Sequence, residues 1–134
     1  MKPLPADVAP DDLDAPFWEG CRKGIFLLHR CSLCGRHYWP ASCCVTHGAK
    51  GMEWVPSRGR GRVHTYTIVH QSYHPAFADE IPYNVAVVEL DEGPFVHANV
   101  VDAPDGIRTG MRVEVLFREA APGVVVPTFR PSEG

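Results

Sequence analysis

The sequence predicts a mainly β fold in which an N-terminal helix and a short cysteine-rich ribbon precede a five-stranded barrel. Three observations lead there. Thirteen prolines and twelve glycines among 134 residues divide the chain into many short elements joined by turns, which favours strands over a helical bundle. From residue 59 onward, five runs rich in Val, Thr, Tyr and Phe (GRVHTYTIVHQ, YNVAVVELD, PFVHANVVD, MRVEVLFRE and GVVVPTF) are separated by Gly, Pro or Asp clusters. Ahead of them the stretch RCSLCGRHYWPASCCVTHG, residues 30–48, holds four of the five cysteines and two histidines. Five short strands suffice to close a small barrel, and the OB-fold has this strand count.

Taken in order, residues 1–10 are a Pro/Ala-rich lead expected to be extended or mobile. DDLDAPFWEGCRKG, residues 11–24, places acids early, Arg22 and Lys23 late and Gly24 as a stop, the charge order a helix dipole favours. IFLLHR at 25–30 is a compact apolar strand entering the cysteine cluster, and MEWVP at 52–56 is another leaving it. Asp91, Glu92 and Gly93 read as the turn of a hairpin, whereas SYHPAFADEIP at 72–82 is a longer excursion. The expected organisation is a lead and helix over 1–24, a ribbon over 25–57 and a barrel over 58–134.

Charge narrows the function classes. The formal net charge is −3, which argues against nucleic acid as a partner, since neutralising phosphates calls for a basic excess. Residues 1–62 carry nine Lys/Arg against six Asp/Glu, and residues 63–134 carry four against ten, so an anion-binding surface is expected in the first half. No stretch is apolar enough to cross a membrane, and the first residues lack the apolar run of a secretion signal. The expected compartment is the cytoplasm, where thiols stay reduced and clustered cysteines bind metal or do redox chemistry more often than they form disulfides.

Zinc takes four soft or borderline ligands in a tetrahedron, and a C-x-x-C turn offers two of them from one tight loop. Cys31-x-x-Cys34-Gly35 is such a knuckle. Cys44-x-x-His47-Gly48 repeats its spacing and its trailing glycine, with His in the last place. Cys43 with His47 is the looser alternative; adjacent side chains in an extended segment point opposite ways, which leaves Cys43 a bystander. Four protein ligands make a closed, structural site. A thioredoxin-like reading fails because Cys31 and Cys34 do not open a helix in a βαβ context.

A zinc ribbon behind a leading helix and ahead of a five-stranded barrel resembles, through PFWEG, FLLHRCSLCGRHYWP, CVTHG, MEWVPSRGRGRVHTYTIVH, PYNVAVVELDEG, GMRVEVLF and PTFRP, the family of rubredoxin-like zinc-ribbon plus OB-fold proteins. The resemblance covers nearly the whole chain. It implies an accessory subunit, not catalytic alone, of a thiolase-fold acyl-CoA enzyme. That partner would be an acyltransferase or an aldolase, the steroid side-chain type included, and the assembly a hetero-oligomer. The family's ribbon has two Cys-x-x-Cys knuckles with Pro-Pro-Arg between them; here Pro40-Ala41-Ser42 stands there and His47 replaces the fourth cysteine.

Other residues carry weaker signals. Arg58, Arg60 and Arg62 alternate with glycines at a strand entry, and a trio of guanidiniums on one side suits the phosphates of coenzyme A. Tyr73, His74 and Phe77 sit among turn formers in the long loop and are candidates for contact with a partner or an acyl-CoA. His64, Tyr66, Ile68 and His70 fall on one strand face, read as a polar barrel face or partner contact. No serine or cysteine has a nucleophile context. Trp18, Trp39 and Trp54 follow no single face and read as packing between the parts, and Cys21 as a buried thiol. A stand-alone nucleic-acid module and a small acyl-CoA thioesterase are the competing readings, the former opposed by the acidity and the latter by the missing acid-base constellation.

Overall fold

The computed structural model describes residues 15–39, 43–71, 75, 79 and 81–133. Its elements run α1 (Ala15–Arg22), β1 (Leu27–Cys31), β2 (His37–Tyr38), β3 (Met52–Pro56), β4 (Arg60–Val69), β5 (Tyr83–Leu90), β6 (Phe95–Ala98), β7 (Arg112–Ala121) and β8 (Val124–Pro131). The fold is mainly β with one N-terminal helix, as the turn-rich composition implies. No helix among the described residues is long and apolar enough to cross a membrane.

Helix α1 buries Phe17, Gly20 and Cys21 and exposes Glu19 and Arg22, which pair one turn apart. It ends at Arg22, two residues before the expected end at 24, and residues 11–14 lie outside the described residues. The ribbon is a three-stranded antiparallel sheet of order β2-β1-β3, with Leu28 opposite Val55 and His29 opposite both Tyr38 and Trp54. Strand β2 has no counterpart in the sequence reading. Two residues are too few for a periodic signal, and they become a strand only because the first knuckle turns the chain back beside β1.

The five predicted β runs form one antiparallel sheet of order β6-β5-β4-β7-β8. Its outer strands meet: Val101 N–H donates to Phe129 O at 2.8 Å and Phe129 N–H to Asn99 O at 2.9 Å, a parallel bridge between the end of β6 and β8. This curls the sheet into an OB-like half-barrel. Asn84 supports the closure from β5, its side-chain amide donating to Val100 O at 2.8 Å while its Oδ1 accepts from Val100 N at 2.7 Å. The hairpin at 91–93 is closed by Gly93 N to Leu90 O at 2.9 Å. On β4, a Cβ at Gly61 would collide with the carbonyl of Glu89, so the glycine permits close approach to β5.

One core serves all the parts. Val63, Val88, Leu90, Val96 and Val113 line the barrel, Phe17 and Cys21 come from the helix and Phe26 and Leu28 from the ribbon, and all join Phe129. Trp18, Trp39 and Trp54 pack against this cluster. Burial pushes the Cys21 thiol up to about 11, the behaviour of an inert packing group. Phe129 is fully buried, so Phe129→Ala should destabilise the chain by about 3–5 kcal/mol. In a thermal melt that is a fall in Tm on the order of 10–20 °C.

Candidate metal centre

Each knuckle is a backbone turn closed by its own hydrogen bonds. In the first, Gly35 N–H donates to Cys31 O at 2.7 Å and Cys31 N–H to Arg36 O at 3.0 Å. In the second, Cys44 and Gly48 exchange both backbone bonds at 2.9 Å. Gly35 and Gly48 have φ of 80° and 63°, the left-handed region that a side chain disfavours. The repeated trailing glycine is therefore the residue that lets each turn return toward its first cysteine.

The turns bring Cys31, Cys34, Cys44 and His47 together, with one ligand atom from each lying within 4.8 Å of the others. Cys34 Sγ lies 3.7 Å from Cys44 Sγ, and His47 Nδ1 lies 3.6 Å from both Cys31 Sγ and Cys44 Sγ. A zinc tetrahedron with Zn–S of about 2.3 Å and Zn–N of about 2.0–2.1 Å has S···S edges of about 3.8 Å and S···N edges of about 3.6 Å. The edges match. The donor set and its spacing fit a structural zinc site with no open position. Cys31 and Cys44 are buried and Cys34 is exposed, whereas Cys43 is exposed and outside the cluster.

Tyr38 is a functional residue that the sequence reading missed. Its hydroxyl donates to Cys44 Sγ at 3.4 Å and accepts from Val45 N at 3.2 Å. That hydroxyl first, then the Thr46 amide and His47, hold the Cys44 thiol at about 5 against its ordinary 9.0. A thiol so placed is ionised at neutral pH and ready to bind metal. Nothing in the spacing marks Tyr38; it reaches the site only because β2 folds back.

The other candidates lie elsewhere. Arg58, Arg60 and Arg62 are exposed along the entry to β4. Arg62 pairs with Glu89 at 2.9 Å, and Arg58 and Arg60 both help Arg112 to lower the Asp91 carboxyl. Tyr73, His74 and Phe77 fall outside the described residues. A cavity of about 620 Å³ opens between α1, the ribbon and the barrel, walled by Phe17, Trp18, Trp39 and Tyr83, with Arg118 on its rim. Among the described residues Arg118 has no ion pair.

The profile of the ChsH2 C-terminal OB-fold domain matches residues 54–118. A DUF35 domain-containing scaffold protein of Methanothermobacter thermautotrophicus is 36% identical over 75% of this chain and 80% of its own length. Its counterpart in Methanocaldococcus jannaschii is 35% identical over 75% and 74%. The chain belongs to the DUF35 family. Among solved structures, a chain of the Ltp2-ChsH2(DUF35) aldolase superposes with a TM-score of 0.80 at 36% identity, covering 96% of this chain and 98% of that one. A DUF35 protein from Sulfolobus solfataricus shares the fold, with a TM-score of 0.63 at 18% identity. A probable enoyl-CoA hydratase alpha subunit of Thermomonospora curvata is 38% identical over 98% of this chain, which spans 40% of that protein's length.

Elemental analysis of the purified chain should find about one zinc per chain, as one tetrahedral site requires. Cys44→Ser should lose it and Cys43→Ser keep it. Zinc should be bound more weakly as pH falls and finally be released, because the lowered Cys44 thiol contributes fully above its ordinary value and loses that contribution as it is protonated. Tyr38→Phe removes the largest cause of the lowering. It should move the release to higher pH and weaken zinc affinity on the order of tenfold, read by competition with a chelator.

Proposed function

We propose that this chain is a non-catalytic accessory subunit that binds and activates or stabilises a thiolase-fold acyl-CoA enzyme, an aldolase or an acyltransferase. The observation that carries the reading is the match, over 96% of this chain, to one whole chain of the Ltp2-ChsH2(DUF35) aldolase. The metal centre supports it. A zinc ion held by four protein ligands has no position left for a substrate, and its effect is to hold two turns and the ribbon rigid. The thiols joined to an imidazole among the described residues, Cys31 and Cys44 with His47, are those of the metal cluster, where ligation would occupy them. The likeness to the aldolase chain favours an aldolase as the partner; within that class we assign steroid side-chain retro-aldol cleavage as its reaction, in the cytoplasm and in a hetero-oligomer.

An acyl-CoA contribution is part of this reading. The aromatic cavity beside Arg118 suits an apolar acyl or sterol body, and Arg58, Arg60 and Arg62 are the cations we assign to coenzyme A phosphates. Tyr73, His74 and Phe77 are the loop residues we assign to the partner or to the acyl-CoA. In this reading residues 25–57 stiffen the module and residues 58–134 dock.

Co-expression with a thiolase-like enzyme encoded beside this chain, followed by size exclusion and an assay with and without the chain, tests the reading. The pair should co-elute, the partner should lose activity or solubility when expressed alone, and the isolated chain should turn over no acyl-CoA. A partner fully active and monodisperse by itself would sink the accessory role. Neutralising Arg58, Arg60 and Arg62 together should raise the complex's KM for acyl-CoA, and added salt should reproduce part of that rise. Unchanged kinetics at low salt would return the three arginines to ordinary surface.

A further inference from the structure

Among the described residues, strand β4 leaves the barrel with an open edge. β7 pairs with it only from Arg60 to Arg62. The last backbone bonds on that side are Val63 N to Met111 O at 3.0 Å and Gly110 N to Val63 O at 2.7 Å. A bulge follows between Val63 and Thr65, and among the described residues β4 continues to Val69 with only β5 paired beside it. Every residue from 64 to 68 is exposed, Tyr66 at 38% and Ile68 at 41%. Phe95, 46% exposed, adds an apolar flank by meeting the His64 ring edge-on at 5.0 Å.

Monomeric proteins guard such edges with Lys, Pro or an inward-pointing charge. VHTYTIV, residues 63–69, has no charged residue other than a titratable histidine, and no proline or glycine. It also reads nearly the same in both directions. Laid antiparallel against itself about Tyr66, it sets Val63 against Val69, His64 against Ile68, Thr65 against Thr67 and Tyr66 against its own twin. These are β-branched, hydroxyl and aromatic pairs of the kinds that stabilise neighbouring strands, and no two like charges meet. A two-fold contact demands a surface complementary to itself, and a strand with this symmetry supplies one.

We propose that the β4 edge is the interface between two copies of this chain, paired antiparallel about a two-fold axis through Tyr66 so that the two barrels share one continuous sheet. The inference stands apart from the accessory-subunit reading, because it concerns the chain alone.

Sedimentation of the full, zinc-loaded chain should give twice the 14.8 kDa of one copy. Tyr66→Lys sets two ammonium groups against each other on the axis, so its dimer should dissociate at least tenfold more readily, with zinc content and circular dichroism unchanged. A second variant fixes the register. In a Cys43→Ser background, Tyr66→Cys should form an intermolecular disulfide under mild oxidation. Thr65→Cys should not, because residue 65 faces residue 67 of the other copy and its own twin lies too far away for a disulfide. A wild-type chain that is monomeric at every concentration would overturn the proposal, as would a dimer indifferent to Tyr66→Lys or equal cross-linking by the two cysteine variants. If Tyr66→Lys instead abolishes co-elution with a thiolase-fold enzyme while the wild type alone is monomeric, the edge belongs to a foreign strand and the proposal is equally overturned.

Discussion

Phe129 is the residue through which the parts of this molecule become one body. Its backbone accepts from Val101 and donates to Asn99, the two bonds that draw the outer strands of the sheet together. Its ring meets Phe26 at the mouth of the ribbon, with centroids 6.2 Å apart, and Phe26 meets Phe17 of the helix at 5.5 Å. Phe17 in turn meets Trp18 and Trp39 at 5.2 and 5.8 Å. Barrel closure, ribbon orientation and helix docking thus share one aromatic junction, in edge-on arrangements that such rings prefer. Loosening it would cost packing in three places, since side chains in a dense core have few alternative arrangements.

The metal centre lies at the other end of the ribbon and answers a different need. A sheet of two- and five-residue strands buries too little to hold two exposed turns in place. A tetrahedral ion joins the turns directly, and Tyr38 on the shortest strand completes the arrangement by stabilising one thiolate. The ribbon is therefore anchored twice, by aromatic packing at its root and by ligation at its tip. This leaves a rigid projection whose knuckles expose Leu33 and Val45.

The barrel is not uniform around its axis. Where β4 runs beside both β5 and β7, the exposed Arg60 and Arg62 alternate with Gly61 and the buried Val63, and ion pairs cross this part of the sheet: Arg62 with Glu89, Arg112 with Asp91 and Arg130 with Glu114. Past the bulge at Val63 the strand has no Lys, Arg, Asp or Glu and turns into the exposed HTYTI. An ionic, solvated surface and an unguarded edge are thus placed on one strand, and they suit different contacts.

Much of this was legible in the residues. The five β runs, the hairpin at 91–93, the packing role of the three tryptophans and the burial of Cys21 all follow from local composition, because turn residues and apolar runs act over a few positions. The zinc knuckles were legible for the same reason: spacing and a trailing glycine are local constraints on a turn. What the tertiary structure alone decided depends on residues distant in sequence coming together. Strand β2 and the Tyr38 hydroxyl exist as parts of the site only after the chain folds back across β1. The aromatic cavity joins helix, ribbon and barrel residues that share no motif. Tyr66 and Ile68 keep one strand face, as their spacing implies, but the strand is exposed at every residue from 64 to 68, because β7 departs after three pairs and a bulge shifts the register. Periodicity can predict that a strand forms; only the packed sheet decides which of its edges meets another strand.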